Sequence, residues 1–160
     1  MIDRFRGDYF FLSNMYVVEN QLVTPDGIQV PTSEHYYMST RFQNKLPRIA
    51  VAMAMAEEGD TRPYAQGAAA KRAAHDLINQ GKLHFDQPHE RVMLMQRAVL
   101  EKFSKNPDIA QQLLETGDEI LVEGNTWGDR FWGVDPIGSG DGLNMLGRVL
   151  MATREKLRKV

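Results

Sequence analysis

Gly124-Asn125-Thr126-Trp127-Gly128-Asp129-Arg130-Phe131-Trp132-Gly133 holds both tryptophans of the 160-residue chain, together with three glycines, an asparagine and an aspartate. Glycine and asparagine disfavour helix, and the apolar residues have no helical period, so the stretch reads as non-helical. Two uses fit it. Glycine lets backbone approach a ligand, tryptophan offers a stacking face, and aspartate offers a charge or a proton acceptor. Equally, a tight turn can plug its tryptophans into the core. Upstream, Glu119-Ile120-Leu121-Val122-Glu123 reads as a short strand that delivers the chain to this stretch. Downstream, a helix is expected over about 143–158, with Leu143, Leu146, Leu150 and Leu157 facing the core.

Working outward to the N-terminus, Phe5 to Asn14 is dense in aromatics and ends in a polar pair. Residues 15–24 read as a strand, Thr24-Pro25-Asp26-Gly27 as a turn, and Ile28-Gln29-Val30 as the returning strand of a hairpin. Pro31-Thr32-Ser33-Glu34 opens a helix expected to run to about Lys45, with Thr32 or Ser33 as its cap and Glu34 in the first turn. His35, Met38, Ser39 and Phe42 form one stripe of it, and Glu34, Met38 and Arg41 a neighbouring one. Pro47 interrupts, and a second helix follows over 49–57. Further helices are expected over 64–74, over 88–104 with Val92, Met93, Val99, Leu100 and Phe103 as its apolar face, and from Pro107 to a stop at Gly117. The fold class is α+β, predominantly helical, with a small antiparallel sheet joining the hairpin to strand 119–123. Strands and helices do not alternate regularly, which argues against a doubly wound sheet. With no linker or repeat, residues 1–160 are expected to form a single domain.

Composition narrows the function. Hydrophobic residues are 42% and charged residues 25% of the chain, as in ordinary globular domains. The formal net charge of -2 gives no footprint for unspecific nucleic-acid binding. Cysteine is absent, which excludes disulfides, thiolate catalysis and cysteine-ligated metal. No apolar run is long enough for a membrane span, and Met1 to Arg6 lacks a signal-peptide core, so a cytoplasmic protein is expected. His35, His75, His84 and His89 include no pair at the helical i, i+4 zinc spacing, so no metal is expected. They read as ordinary surface or core histidines, with His35 set apart by its neighbour Glu34. Gly138-Ser139-Gly140-Asp141-Gly142 precedes a helix and is either a phosphate-holding loop or a plain surface turn. Glu34 is either a solvated first-turn glutamate or an acid/base group, and Asp129 either a turn brace or a second such carboxylate.

The motifs Phe5-x-Gly7, Phe11-Leu12-Ser13-Asn14, Pro31-Thr32-x-Glu34-His35, Ala70-Lys71-Arg72 and Lys102-Phe103 with Asn106-Pro107 occur in that order. Leu114-x-Thr116-Gly117-Asp118, Gly124-Asn125-Thr126-Trp127-Gly128-Asp129-x-Phe131-Trp132-Gly133 and Asn144-x-Leu146-Gly147 with Arg154 complete the set. Taken together this sequence resembles the NADAR, or YbiA-like, family over nearly its whole length. The resemblance implies an N-glycosidase. Its substrate would be a small nucleotide or ribose phosphate: a phosphoribosylamino-pyrimidine of riboflavin synthesis, or ADP-ribosylated guanine, free or in nucleic acid. It implies no cofactor. Carried onto this chain, it makes Glu34, Asp129 and Lys71 catalytic candidates, and Asn14, His35, Arg41, Trp127, Trp132 and Asn144 substrate-binding ones. Lys71 is either a Schiff-base amine or a helix-face lysine that meets a phosphate. The chain departs from the family pattern at Met38, Arg41, Phe85-Asp86 and His89, where the family often has Gln, Lys, Trp and Lys. Arg41 and Phe85 sustain the alternative of a non-catalytic ADP-ribose or nucleotide-binding module.

Overall fold

The structure, a computed structural model, describes residues 1–160. Its chain falls into two compact units, one of residues 14–106 and the other of residues 1–13 with 107–160.

At the centre of the 14–106 unit is helix α1, Ser33–Thr40. Thr32 caps it: its extended backbone precedes the first turn and its hydroxyl accepts from the His35 N–H at 3.0 Å. Every residue from Ser33 to Ser39 is buried, so α1 shows no solvent face. It is enclosed by helices α2 (Lys45–Ala52), α3 (Ala65–Asn79) and α4 (Pro88–Lys105), and by a hairpin of β1 (Leu22–Val23) and β2 (Gln29–Val30). The two strands are antiparallel, with Leu22 opposite Val30 and Val23 opposite Gln29.

Several expected boundaries shift, each for a local reason. The first strand is two residues long rather than the whole of 15–24. Helix α1 stops at Thr40 instead of Lys45. Its Ser39 and Thr40 hydroxyls turn back onto the Tyr36 and Tyr37 carbonyls. The next residues leave to pair with residues 83–85, through a Phe42–His84 bridge and bonds from Gln43 N–H to Leu83 O and Phe85 N–H to Arg41 O. Pro47 does not interrupt α2. It sits in the first turn, where an amide N–H has no helical partner, so α2 begins at Lys45 and ends before the expected 57. Helix α3 runs five residues past the expected Ala74. The buried face of α4 is Met95, Ala98, Val99, Lys102 and Phe103, while Met93 and Leu100 lie on the exposed side, contrary to expectation.

In the other unit, Gly7–Leu12 forms a 3-10 turn, and helices α5 (Pro107–Glu115) and α6 (Met145–Arg158) pack together. Arg154 of α6 donates to the Thr116 hydroxyl at 2.8 Å, tying α6 to the end of α5. Residues 119–123 are not a strand of the hairpin's sheet, which has only two strands. Within them only Leu121 pairs, in parallel with Ile2, and just beyond them Gly124 pairs in parallel with Val134. Helix α6 begins at Met145 because Asn144 has φ 51°, and Leu143 is exposed outside the core formed by Leu146, Val149 and Leu150. The molecule is thus helix-rich α+β with a small antiparallel sheet. None of its helices is long and apolar enough to cross a membrane.

Candidate functional site

Glu34 occupies the first turn of α1, yet only 6% of its surface is exposed. A solvated first-turn glutamate is therefore excluded, and a buried carboxylate is normally found only with partners close by. Its backbone N–H donates to the Asn14 carbonyl at 3.1 Å. The Asn14 side chain, also buried, accepts from the Ser33 hydroxyl at 2.8 Å and donates to the Met95 sulfur at 3.3 Å. Asn14 thereby locks the start of α1 to the segment before the hairpin. His35 is fully buried, with Nδ1 2.7 Å from the Thr32 hydroxyl and Nε2 2.8 Å from the Ala54 carbonyl. Burial holds its pKa below the usual histidine range, partly opposed by the Ala54 bond. With both ring nitrogens engaged, His35 fixes α1 against the end of α2.

At the other end of α1, Arg41 is buried. Its guanidinium donates to the Phe85 carbonyl at 3.3 Å and to Asp86 at 3.0 Å. The Phe85-Asp86 pair that departs from the family pattern is thus what meets Arg41. Lys71, half-buried on α3, precedes His75 by one helical turn. Burial is the main cause that lowers the His75 pKa, and the charges of Lys71 and Arg41 add to it, so the neutral imidazole is favoured near these two cations. The 14–106 unit therefore places Asn14, Glu34, Arg41 and Lys71 along or beside one helix. Tyr37 and Arg91 are not among the residues singled out by the sequence. Tyr37 was legible as the i+3 neighbour of Glu34, whereas nothing in the sequence links Arg91 to α1.

In the other unit the Trp/Gly stretch is a wired turn. The Asn125 side chain is completely buried; it donates to the Asp129 and Val134 carbonyls and accepts from the Trp127 and Asp129 N–H groups. Asp129 accepts from the Phe131 and Trp132 N–H groups at 3.1 and 2.9 Å. Asn144 bridges the Leu121 carbonyl and the Glu123 N–H at 2.9 and 3.0 Å. The first N–H groups of α6 are equally spent, Met145 on Phe131 O and Leu146 on Trp132 O. The Gly138–Gly142 loop therefore leads into a helix start already bound to backbone, which disfavours the phosphate-holding reading. Trp127 is 58% exposed, with the Arg6 guanidinium 5.9 Å from its ring centroid, whereas Trp132 is half-buried edge-on to Phe131 at 4.8 Å. One tryptophan presents a face and the other packs.

The family profile described as the NADAR domain matches residues 3–158. The chain belongs to the NADAR family. Among NADAR relatives, an N-glycosidase of Nostoc punctiforme is 33% identical over 142 residues, covering 86% of this chain and 83% of that protein. The N-glycosidase YbiA of Escherichia coli is 31% identical over 132 residues, covering 82% and 73%. A riboflavin biosynthesis protein of Vibrio vulnificus is 37% identical over 149 residues; the match takes in 93% of this chain but only 36% of that longer protein. The NMR structure of Escherichia coli YbiA superposes with a TM-score of 0.71 at 28% identity, covering 99% of this chain and 88% of the other. The glycosyl-hydrolase class expected from the sequence is the class these N-glycosidase relatives carry.

Proposed function

We propose that this NADAR chain hydrolyses the ribosyl C–N bond of a phosphoribosylamino-pyrimidine, as one domain acting in the cytoplasm on a small nucleotide-like substrate. The observation that carries this reading is Glu34, an acid held inside a helix that has no solvent face. Breaking a ribosyl C–N bond builds positive charge on the sugar. A fixed carboxylate stabilises that charge or takes a proton from the attacking water, and the departing nitrogen leaves with the bonding electrons and a proton. The cations Arg41 and Lys71 supply the positive charge that a sugar phosphate needs. Lys71 is also the amine that could carry the opened sugar as a Schiff base, which borohydride trapping followed by mass spectrometry would reveal.

For the Trp/Gly unit we assign two parts. The exposed ring of Trp127 is the stacking face for a flat base. Asp129, with one carboxylate oxygen anchored by two backbone N–H groups, is a carboxylate of fixed direction. The riboflavin name of the Vibrio relative supports the pyrimidine substrate. ADP-ribosylated guanine is the competing substrate that the family resemblance implies. The deciding experiment offers both compounds to the purified protein, with and without EDTA, and measures released base and sugar phosphate. Release from the pyrimidine substrate alone supports the reading, and release from ADP-ribosylated guanine alone replaces it. Tryptophan quenching without release from either identifies a binding module.

A further inference from the structure

Tyr37 follows Glu34 by one helical turn and precedes Arg41 by another, so the three line one side of α1. Its side chain is completely buried, and a buried phenol needs a hydrogen-bond partner. Arg91 of α4 supplies one, its Nε donating to the Tyr37 oxygen at 3.1 Å. The Arg41 guanidinium stands 5.9 Å from the Tyr37 ring centroid. Tyr37 therefore meets one cation at its hydroxyl and another over its ring. Burial is the main cause that raises the Tyr37 pKa; the two arginines oppose it and the nearby Glu34 charge adds to it. The phenol thus stays neutral, and Glu34 lies within electrostatic reach of the atom that holds Arg91.

Several other charges on the elements around α1 have partners of their own, among them the buried Lys102 of α4, whose amine lies 5.6 Å from the Tyr16 ring centroid and 5.2 Å from that of Phe103. Arg48 of α2 is spent on Asp26 of the hairpin turn. Arg97 and Glu101 of α4 act on Tyr36, which faces another way. The charges of Lys71 on α3 and of Arg41 bear on His75, whose pKa they help to lower after burial.

We propose that Tyr37 and Arg91 are positioning residues for Glu34: the Tyr37 hydroxyl fixes the plane of the Arg91 guanidinium, and that fixed cation is the counter-charge that aims the Glu34 carboxylate. The inference rests on the catalytic reading of Glu34 given above. Guanidinium carries its N–H donors in a rigid plane, so anchoring Nε sets the direction of the remaining ones. A buried carboxylate is held usefully only when its counter-charge is fixed, because the desolvation cost is recovered only in good geometry. A merely structural tie between α1 and α4 would leave turnover by the folded protein unchanged.

The test combines turnover of the phosphoribosylamino-pyrimidine with carboxyl 13C NMR of Glu34 in the free protein. Tyr37→Phe keeps the ring and removes the anchor. It is expected to lower kcat about 100-fold, the scale of an ångström misplacement, with KM changed by less than about threefold. The Glu34 titration is expected to move upward by about one pH unit in Tyr37→Phe and further in Arg91→Met, with Arg91→Lys in between. An unmoved Glu34 titration in both Tyr37→Phe and Arg91→Met overturns the proposal, as does wild-type kcat in Tyr37→Phe. Should Tyr37→Phe fail to fold, the two Arg91 variants decide by the same readouts. Full turnover by Glu34→Gln would instead overturn the catalytic reading, and the NMR titration would still judge whether Tyr37 and Arg91 hold the carboxylate.

Discussion

Helix α1 and the Trp/Gly stretch are both rich in polar residues, and they spend them differently. In the stretch from Gly124 to Gly133, the side chains of Asn125 and Asp129 are tied to backbone N–H and carbonyl groups of the same turn. Backbone crowding there is extreme: a Cβ on Gly133 would overlap the Glu123 carbonyl, and one on Gly124 would overlap the Asp3 carbonyl. In α1 the backbone satisfies itself as helix, which leaves Glu34, Tyr37 and Arg41 buried, with Tyr37 held by Arg91 at its hydroxyl and by Arg41 at its ring. The most conspicuous motif is thus largely architecture that presents one tryptophan. Chemistry is better supported where a short helix of mostly polar residues is enclosed by its neighbours.

The largest expected effect tests the α1 half of this contrast. Glu34→Gln preserves shape and removes charge, and turnover is expected to fall by about 10²–10⁴-fold, measured as kcat with a circular-dichroism melt to confirm folding. Retained turnover would place the chemistry outside α1. Gly133→Ala tests the architectural half. Its methyl must displace the Glu123 carbonyl, so a loss of about 1–3 kcal/mol is expected, read as a lower midpoint in urea unfolding. A midpoint equal to wild type would mean the turn is looser than its wiring implies.

A smaller effect concerns pH. His35 has its folded pKa held below the unfolded value of about 6.5, so the unfolded chain binds the extra proton. Its contribution to stability is fully present above about pH 6.5 and is lost as pH falls towards and through the folded value. Melting temperature is expected to decline as the pH is lowered from 7.5 to 5, and less steeply in His35→Gln; identical slopes would argue that His35 is not the titrating group. His75 shifts in the same direction and leaves a residual slope. The smallest stability change is expected for Trp127→Ala, within about 0.5 kcal/mol because the ring is mostly exposed. The same variant is expected to lose the ligand-induced fluorescence change, and a change that persists would assign the signal to Trp132.

The sequence by itself determined which segments become helix, where the hairpin turns and that the class is helix-rich α+β. Those follow from local causes: Thr32 as a cap, Pro88 and Pro107 at helix starts, Pro25-Asp26-Gly27 in a turn. It also carried Glu34 and the Trp/Gly stretch as candidates, because an acid at a helix start and paired tryptophans among glycines are visible as residue types. Only the tertiary structure decided that 119–123 pairs with Ile2 and that α1 ends at Thr40, since each depends on partners distant in sequence. Likewise, burial of Glu34 and the Arg91 bond to Tyr37 belong to packing. A helix of polar residues reads as solvent-facing until its neighbours are placed, because burial is a property of what surrounds a residue and not of the residue itself.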